Sequence, residues 1–245
     1  MSRKSLVMLV LISVFLSGCL YPDKNLSKNQ VPNDIQLQSV QTAVEQYQEQ
    51  NTYQLPIQNR DQDTPVFQKY PIDFNRLKQQ NLLSEAPGNS FEQGGVYQYV
   101  IVDPENELQV KVMDLRVTQE LREINFRLNT YRSEHLYVPF GEKINDQVYT
   151  LNYEELGYEN PLQVKSPYTQ NQLPIVVDLE GEIYVDYRSD LNQFLQQYEH
   201  DYETGDDIRY LLSDHSPFVP AHTLPYTVVD GEPVFMNEMN QEDAS

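Results

Sequence analysis

Three of the four histidines, His200, His215 and His222, lie within 23 residues of one another, among Asp201, Asp206, Asp207 and Asp214. Imidazole nitrogens and carboxylate oxygens together could ligate zinc or manganese, with the three histidines and Asp214 as candidates. Their spacing matches no ligand pattern such as His-Glu-x-x-His, and surface histidines in an acidic segment account for the same cluster. Asp178-Leu179-Glu180-Gly181-Glu182 has the composition of a calcium loop. It lacks the alternating Asp positions and the bidentate Glu at position twelve, and a hairpin turn fits it better. Paired carboxylates could hydrolyse glycosides, but 37 Asp and Glu make pairs inevitable and single out none. There is no Gly-x-Ser-x-Gly elbow, no Gly-rich phosphate loop and a single cysteine, Cys19. No catalytic residue, cofactor or metal is therefore assigned. Tyrosine is abundant, at 18 against 9 Phe and no Trp. Its broad ring and terminal hydroxyl suit carbohydrate polymers and protein interfaces. Most tyrosines, Tyr47, Tyr131 and Tyr184 included, are expected to fill half-buried packing positions.

The elements that would position these residues are those of an α+β fold. Leu37, Val40, Val44 and Tyr47 recur at helical spacing behind Asp34, a candidate N-cap, and Tyr53-Gln54-Leu55-Pro56 closes the unit. Leu121, Ile124, Leu128 and Tyr131 repeat the spacing, followed by Tyr137-Val138-Pro139. Leu37 to Leu121, Tyr47 to Tyr131 and Tyr53 to Tyr137 are each 84 residues apart. Ile72-Asp73-Phe74 with Leu77, echoed by Leu151-Asn152-Tyr153 with Leu156, predicts a short helix in each half. Pro87 and Pro167 follow. Two β-rich runs flank a short turn at Tyr99 to Val110 and again at Pro174 to Val185, each reading as a hairpin. The repeated order predicts an internal duplication: two similar helix-plus-antiparallel-hairpin modules, at 34–116 and 117–197. At the level of fold alone this order resembles the globular heads of type II pseudopilins.

Beyond them, Leu191 to Tyr198 reads as a helix, and Ser213 to Tyr226 carries three prolines with Phe218, Val219 and Leu224. Such a segment cannot be helix or central strand, yet its apolar side chains need cover. It is expected to lie as an extended strap across both modules within 198–245, with Val228, Val234 and Phe235 continuing as an edge strand. The acidic end from Asn237 is expected to be disordered.

The amino terminus determines location. Ser2-Arg3-Lys4 precedes an apolar run from Leu6 to Phe15, too short for a membrane-spanning helix of about 20 residues and suited to a signal peptide. The run ends in Leu16-Ser17-Gly18-Cys19, which resembles a bacterial lipobox. That resemblance implies cleavage between Gly18 and Cys19 and lipidation of the Cys19 thiol, so 1–18 is a signal peptide. As the sole cysteine, Cys19 can form no internal disulfide. Residues 19–33 are polar with two prolines and read as a flexible tether, able to reach roughly 50 Å at about 3.5 Å per residue. The lipobox, polar body and Ser216-Pro217-Phe218-Val219-Pro220-Ala221 with Leu224-Pro225-Tyr226 resemble uncharacterised cell-envelope lipoproteins of low-GC Gram-positive bacteria.

Charge restricts the partners. The net charge of −20 becomes 15 − 37 = −22 once Arg3 and Lys4 leave with the signal. Such a chain repels nucleic-acid phosphates and anionic headgroups, so no nucleic acid is expected and membrane attachment must come from the acyl anchor. The expectation is a lipid-anchored extracytoplasmic protein that binds or scaffolds an envelope protein or wall polymer without catalysis. The competing expectations are an envelope enzyme using carboxylates or the His/Asp site, and the substrate-binding subunit of a transporter.

Overall fold

The computed structural model describes residues 34–236. Gly18, Cys19, the signal, the tether and the segment from 237 lie outside the described residues. The fold is α+β with antiparallel strands. Helix α1 (Asp34–Gln50) places Val40, Ala43, Val44 and Tyr47 on one buried face. A short α2 (Phe74–Gln79) follows, with the Asp73 carboxylate accepting from the Asn75 N–H at 3.0 Å as its N-cap. Strands β1 (Tyr97–Val102) and β2 (Gln109–Asp114) form a two-stranded hairpin. Its Tyr99, Ile101 and Val112 meet α1, while Val100, Val102 and Met113 on the opposite face meet Phe67, Val219 and Ala221. Both faces of the ribbon are covered, as a two-strand unit needs in water.

Helix α3 (Leu115–His135) leads into the second half. There β3 (Phe140–Lys143), β4 (Val148–Leu151), β5 (Gln163–Lys165), β6 (Gln172–Asp178) and β7 (Ile183–Val185) form one five-stranded sheet. Its order is β3-β4-β6-β5, with β7 also paired to β6. Val117, Leu121, Ile124 and Leu128 of α3 pack on it with Leu191, Phe194 and Leu195 of α4 (Arg188–Gln197). Both expected hairpins are present. The expected short helix at Leu151 to Leu156 is instead a run of turns, because Leu151 ends β4 and Asn152 N–H donates to the Pro139 carbonyl at 2.8 Å.

After α5 (Arg209–Asp214) the chain runs extended across both hairpins. Val112 N–H donates to the Pro217 carbonyl (2.9 Å), Val219 N–H to the Val112 carbonyl (3.0 Å), and Val185 N–H to the His222 carbonyl (2.8 Å). Phe218 lies between the halves, 5.8 Å from the Tyr97 ring and 6.2 Å from Tyr168. The expected edge strand is a separate hairpin, β8 (Tyr226–Val229) with β9 (Glu232–Phe235), because Asp230-Gly231 in left-handed conformation turns the chain back on itself.

One local device recurs three times. In Asp114-Leu115-Arg116, Asp186-Tyr187-Arg188 and Asp207-Ile208-Arg209 the carboxylate accepts from the Arg backbone N–H and from its Nε and Nη2. Each starts a helix, and each guanidinium covers a ring: Tyr97 at 5.8 Å, Phe235 at 4.9 Å and Phe67 at 5.3 Å. The carboxylate occupies the positive end of the helix while the arginine shields a core aromatic.

Candidate functional site

The histidines do not assemble. His222 is half-buried, its Nε2 2.8 Å from Thr118 Oγ1 of α3, and desolvation lowers its pKa. His215 stacks on Tyr198 at 3.8 Å, and His200 lies 6.0 Å from the Tyr202 ring. Asp214 sits near Lys111, which donates to the Ser213 and Ser216 carbonyls and so holds the end of α5. Among the described residues no group of three or more His, Cys, Asp or Glu is arranged to hold a metal ion. The acidic turn is spent on its hairpin: Asp178 accepts from the Glu182 N–H (2.8 Å) and the Tyr184 hydroxyl (3.0 Å).

The site that the structure does build was not found by motif. It lies at the carboxyl end of α3. The buried stripe of the helix ends at Leu128, and beyond it the helix side chains stand partly or wholly in solvent. Tyr131 stacks on His135 at 4.1 Å and meets Tyr137 edge-on at 5.4 Å. The Tyr131 hydroxyl donates to Glu155, with the Tyr137 hydroxyl 2.5 Å from it. Desolvation, then the bonds to Glu155 and Tyr137, raise the Tyr131 pKa, so the phenol stays protonated at physiological pH. Beside these rings Phe126 and Thr130 edge a hollow of about 500 Å³, closed by Glu123, Glu134 and Glu155.

Leu136 ends the helix with φ +66° and is 89% exposed. Its N–H donates to the Arg132 carbonyl at 2.9 Å. That left-handed position favours Gly, and a leucine there costs about 1 kcal/mol in backbone strain. The backbone is locked from below: Val138 and Pro139 are buried, and the β6–β7 turn packs so closely that a Cβ on Gly181 would lie 2.8 Å from Arg132 and 2.9 Å from Val138. Leu179 of that turn is exposed, as are Phe126, Tyr137 and Phe140. Five of the eight large hydrophobic side chains exposed among the described residues therefore belong to 126–140 or its packing turn. The signal available in the sequence was Leu136-Tyr137 directly after a helix whose apolar spacing had ended, where Gly or Asn is usual.

With this geometry in view, one comparison with known proteins is positive. Residues 33–114 match the YphF family N-terminal domain. No curated protein and no solved structure matches the chain. The matched segment stops at Asp114, the cap where β2 gives way to α3, so the exposed aromatic end lies wholly beyond it. Among the described residues no helix is long and apolar enough to cross a membrane.

Proposed function

We propose that this chain is an extracytoplasmic lipoprotein, tethered to the cell membrane by acylation of Cys19, that binds a second envelope protein through the Leu136–Tyr137 end of α3 without catalysing a reaction. The lipobox, the resemblance to envelope lipoproteins and the polar tether support the location. The observation that carries the binding role is Leu136, a strained and almost fully exposed leucine on a rigid support. Strain at an exposed position does nothing for the fold and points to use. Leu136 and Phe126 have no side-chain hydrogen-bonding group, which favours a protein's apolar pocket over a glycan. On the rim Arg127 pairs with Glu123 at 3.8 Å, and the remaining Glu134 and Glu155 call for basic residues around that pocket.

Leu136→Gly separates the two consequences. The variant is expected to be more stable by about 1 kcal/mol, because the left-handed strain is released. The partner crosslinked to the wild type in cells should be lost from it. Cys19→Ala should lose the partner as well, by leaving the membrane. A Leu136→Gly chain that keeps its partner, or a wild type that retains only wall polymer, overturns the reading.

A further inference from the structure

A second cleft opens at the other end of α3, independent of the aromatic face, and we infer that it binds a phosphate monoester carried on a ring-bearing small molecule. Its volume is about 580 Å³, within the range of small-ligand sites. In a chain with 37 acidic and 17 basic side chains, its lining holds Arg60, Arg116 and Arg122 against one carboxylate, Glu92. Arg116 is fixed in place by the buried Asp114, which takes its Nε and Nη2. Neither Arg60 nor Arg122, both exposed and both lining the cleft, forms an ion pair among the described residues, so no neighbouring carboxylate neutralises them. Guanidinium-bearing side chains from a loop and a helix line one cleft, and such groups suit the oxygens of a phosphate, which offers three acceptors and close to two charges at neutral pH.

The ring preference comes from Phe91. It is exposed at the rim, yet its 3₁₀ turn is held tightly: Gly94 is left-handed at φ +80°, and Gly95 N–H donates to the Ser90 carbonyl at 2.8 Å. At Gly95 a Cβ would lie 2.1 Å from the Asn89 carbonyl oxygen, so only glycine lets the turn close. Asn89 itself is buried and accepts from the Tyr99 hydroxyl at 2.8 Å. The phenyl ring is thus an exposed apolar surface on a tightly held turn in a cleft that also carries the unpaired Arg60 and Arg122, with Arg116 already paired to Asp114. Stacking on it and charge pairing within the cleft select the same ligand.

Phenyl phosphate is the probe, titrated into the full chain in nonionic detergent and followed by amide and guanidinium NMR shifts. Saturable binding below millimolar concentration is expected, with shifts centred on Gly95, Val96, Arg116 and Arg122. Arg60→Ala and Arg122→Ala should each weaken it about tenfold or more. Phe91→Ala should weaken phenyl phosphate but leave inorganic phosphate unchanged. Arg76→Ala, outside the cleft, should change nothing, and unchanged unfolding midpoints would show that the exposed variants remain folded. No saturable binding, equal loss in Arg76→Ala, shifts away from the cleft, or benzoate binding as tightly as phenyl phosphate would each overturn the assignment.

Discussion

Helices α1 and α3 carry the same apolar spacing 84 residues apart and end differently. In α1, Tyr47 is buried in the first core. Asn51 then closes the helix end, donating to the Tyr47 carbonyl (2.7 Å) and exchanging side-chain hydrogen bonds with Gln80 beyond α2 (2.9 and 2.8 Å). In α3 the equivalent Tyr131 is half-buried at the edge of the second core, where it joins His135 and Tyr137 and donates to Glu155 from a turn where the first half has a helix. Tyr53, the counterpart of Tyr137, is 80% exposed, with no ring packed on it among the described residues. Spacing therefore sets which face of a helix is buried, while the segment packed on its last turn decides whether that turn is closed or displayed.

The largest effect should come from Tyr47. Tyr47→Ala empties a core position and should cost about 3 kcal/mol in urea unfolding. Tyr131→Ala should cost under about 1 kcal/mol yet weaken partner capture. Equal costs would break the comparison, since the two tyrosines would then both be core residues. Next are the Pro87 and Pro167 loops that precede the two hairpins. The first hides a neutral amide, Asn89, on the Tyr99 hydroxyl. The second hides a carboxylate: Asp190 of α4 accepts from Ser166 Oγ (2.6 Å) and Thr169 Oγ1 (2.7 Å). Burial raises the Asp190 pKa, and the bonds from Ser166, Thr169 and Asn171 oppose the rise. Asp190→Ala leaves those hydroxyls unpaired and should cost about 2 kcal/mol, against about 1 kcal/mol for Asn89→Ala. Measured unfolding midpoints in the reverse order would show that the second loop does not depend on its buried carboxylate.

How far the sequence could be read follows the same division. The stripes Val40-Val44-Tyr47 and Leu121-Ile124-Leu128, both hairpins and the strap rest on local periodicity or on proline, which act within a few residues of chain. The apolar spacing after Leu151 copies Ile72 to Leu77 and predicts a helix where the chain forms a run of turns. What prevents the helix is pairing of β4 with β3 and β6, a long-range contact that propensity does not register. The five-stranded sheet is not legible in the sequence for the same reason: β3 and β5 are short, polar and exposed at most positions, and only their partners make them strands. The structure does not establish the expected duplication: the first half has a two-stranded hairpin and the second a five-stranded sheet. The histidines were grouped by sequence proximity, whereas the strap carries His222 away to Thr118. The three Asp-x-Arg pairs stand in the sequence, but their role at helix starts, with Asp114 as an N-cap and Asp186 and Asp207 one residue before theirs, follows only from where the helices begin.

The smallest effect tests how the strap holds the two halves. It meets the first through backbone bonds at Val112, the apolar Val219 and the Lys111 ammonium on the Ser216 carbonyl, with no histidine among them. It meets the second beside His222, half-buried and in left-handed conformation at φ +53°. Burial holds the folded pKa of His222 below its ordinary value of about 6.5, so the unfolded chain takes up the proton first. The neutral histidine's full contribution is present above about pH 6.5 and is lost as pH falls from there toward the lowered folded value. His222→Asn keeps a residue that tolerates the left-handed backbone and removes the titration. The stability difference between wild type and His222→Asn should therefore shrink from pH 7.5 to pH 5.5. Over the same range, hydrogen-exchange protection of the Val185 amide, which donates to the His222 carbonyl, should fall in the wild type alone. Protection at Val112 and Val219 should hold. A parallel loss at Val112 and Val185 would mean that the strap lifts from both halves as one unit, and that the contrast between its apolar and its titratable contacts carries no energetic weight.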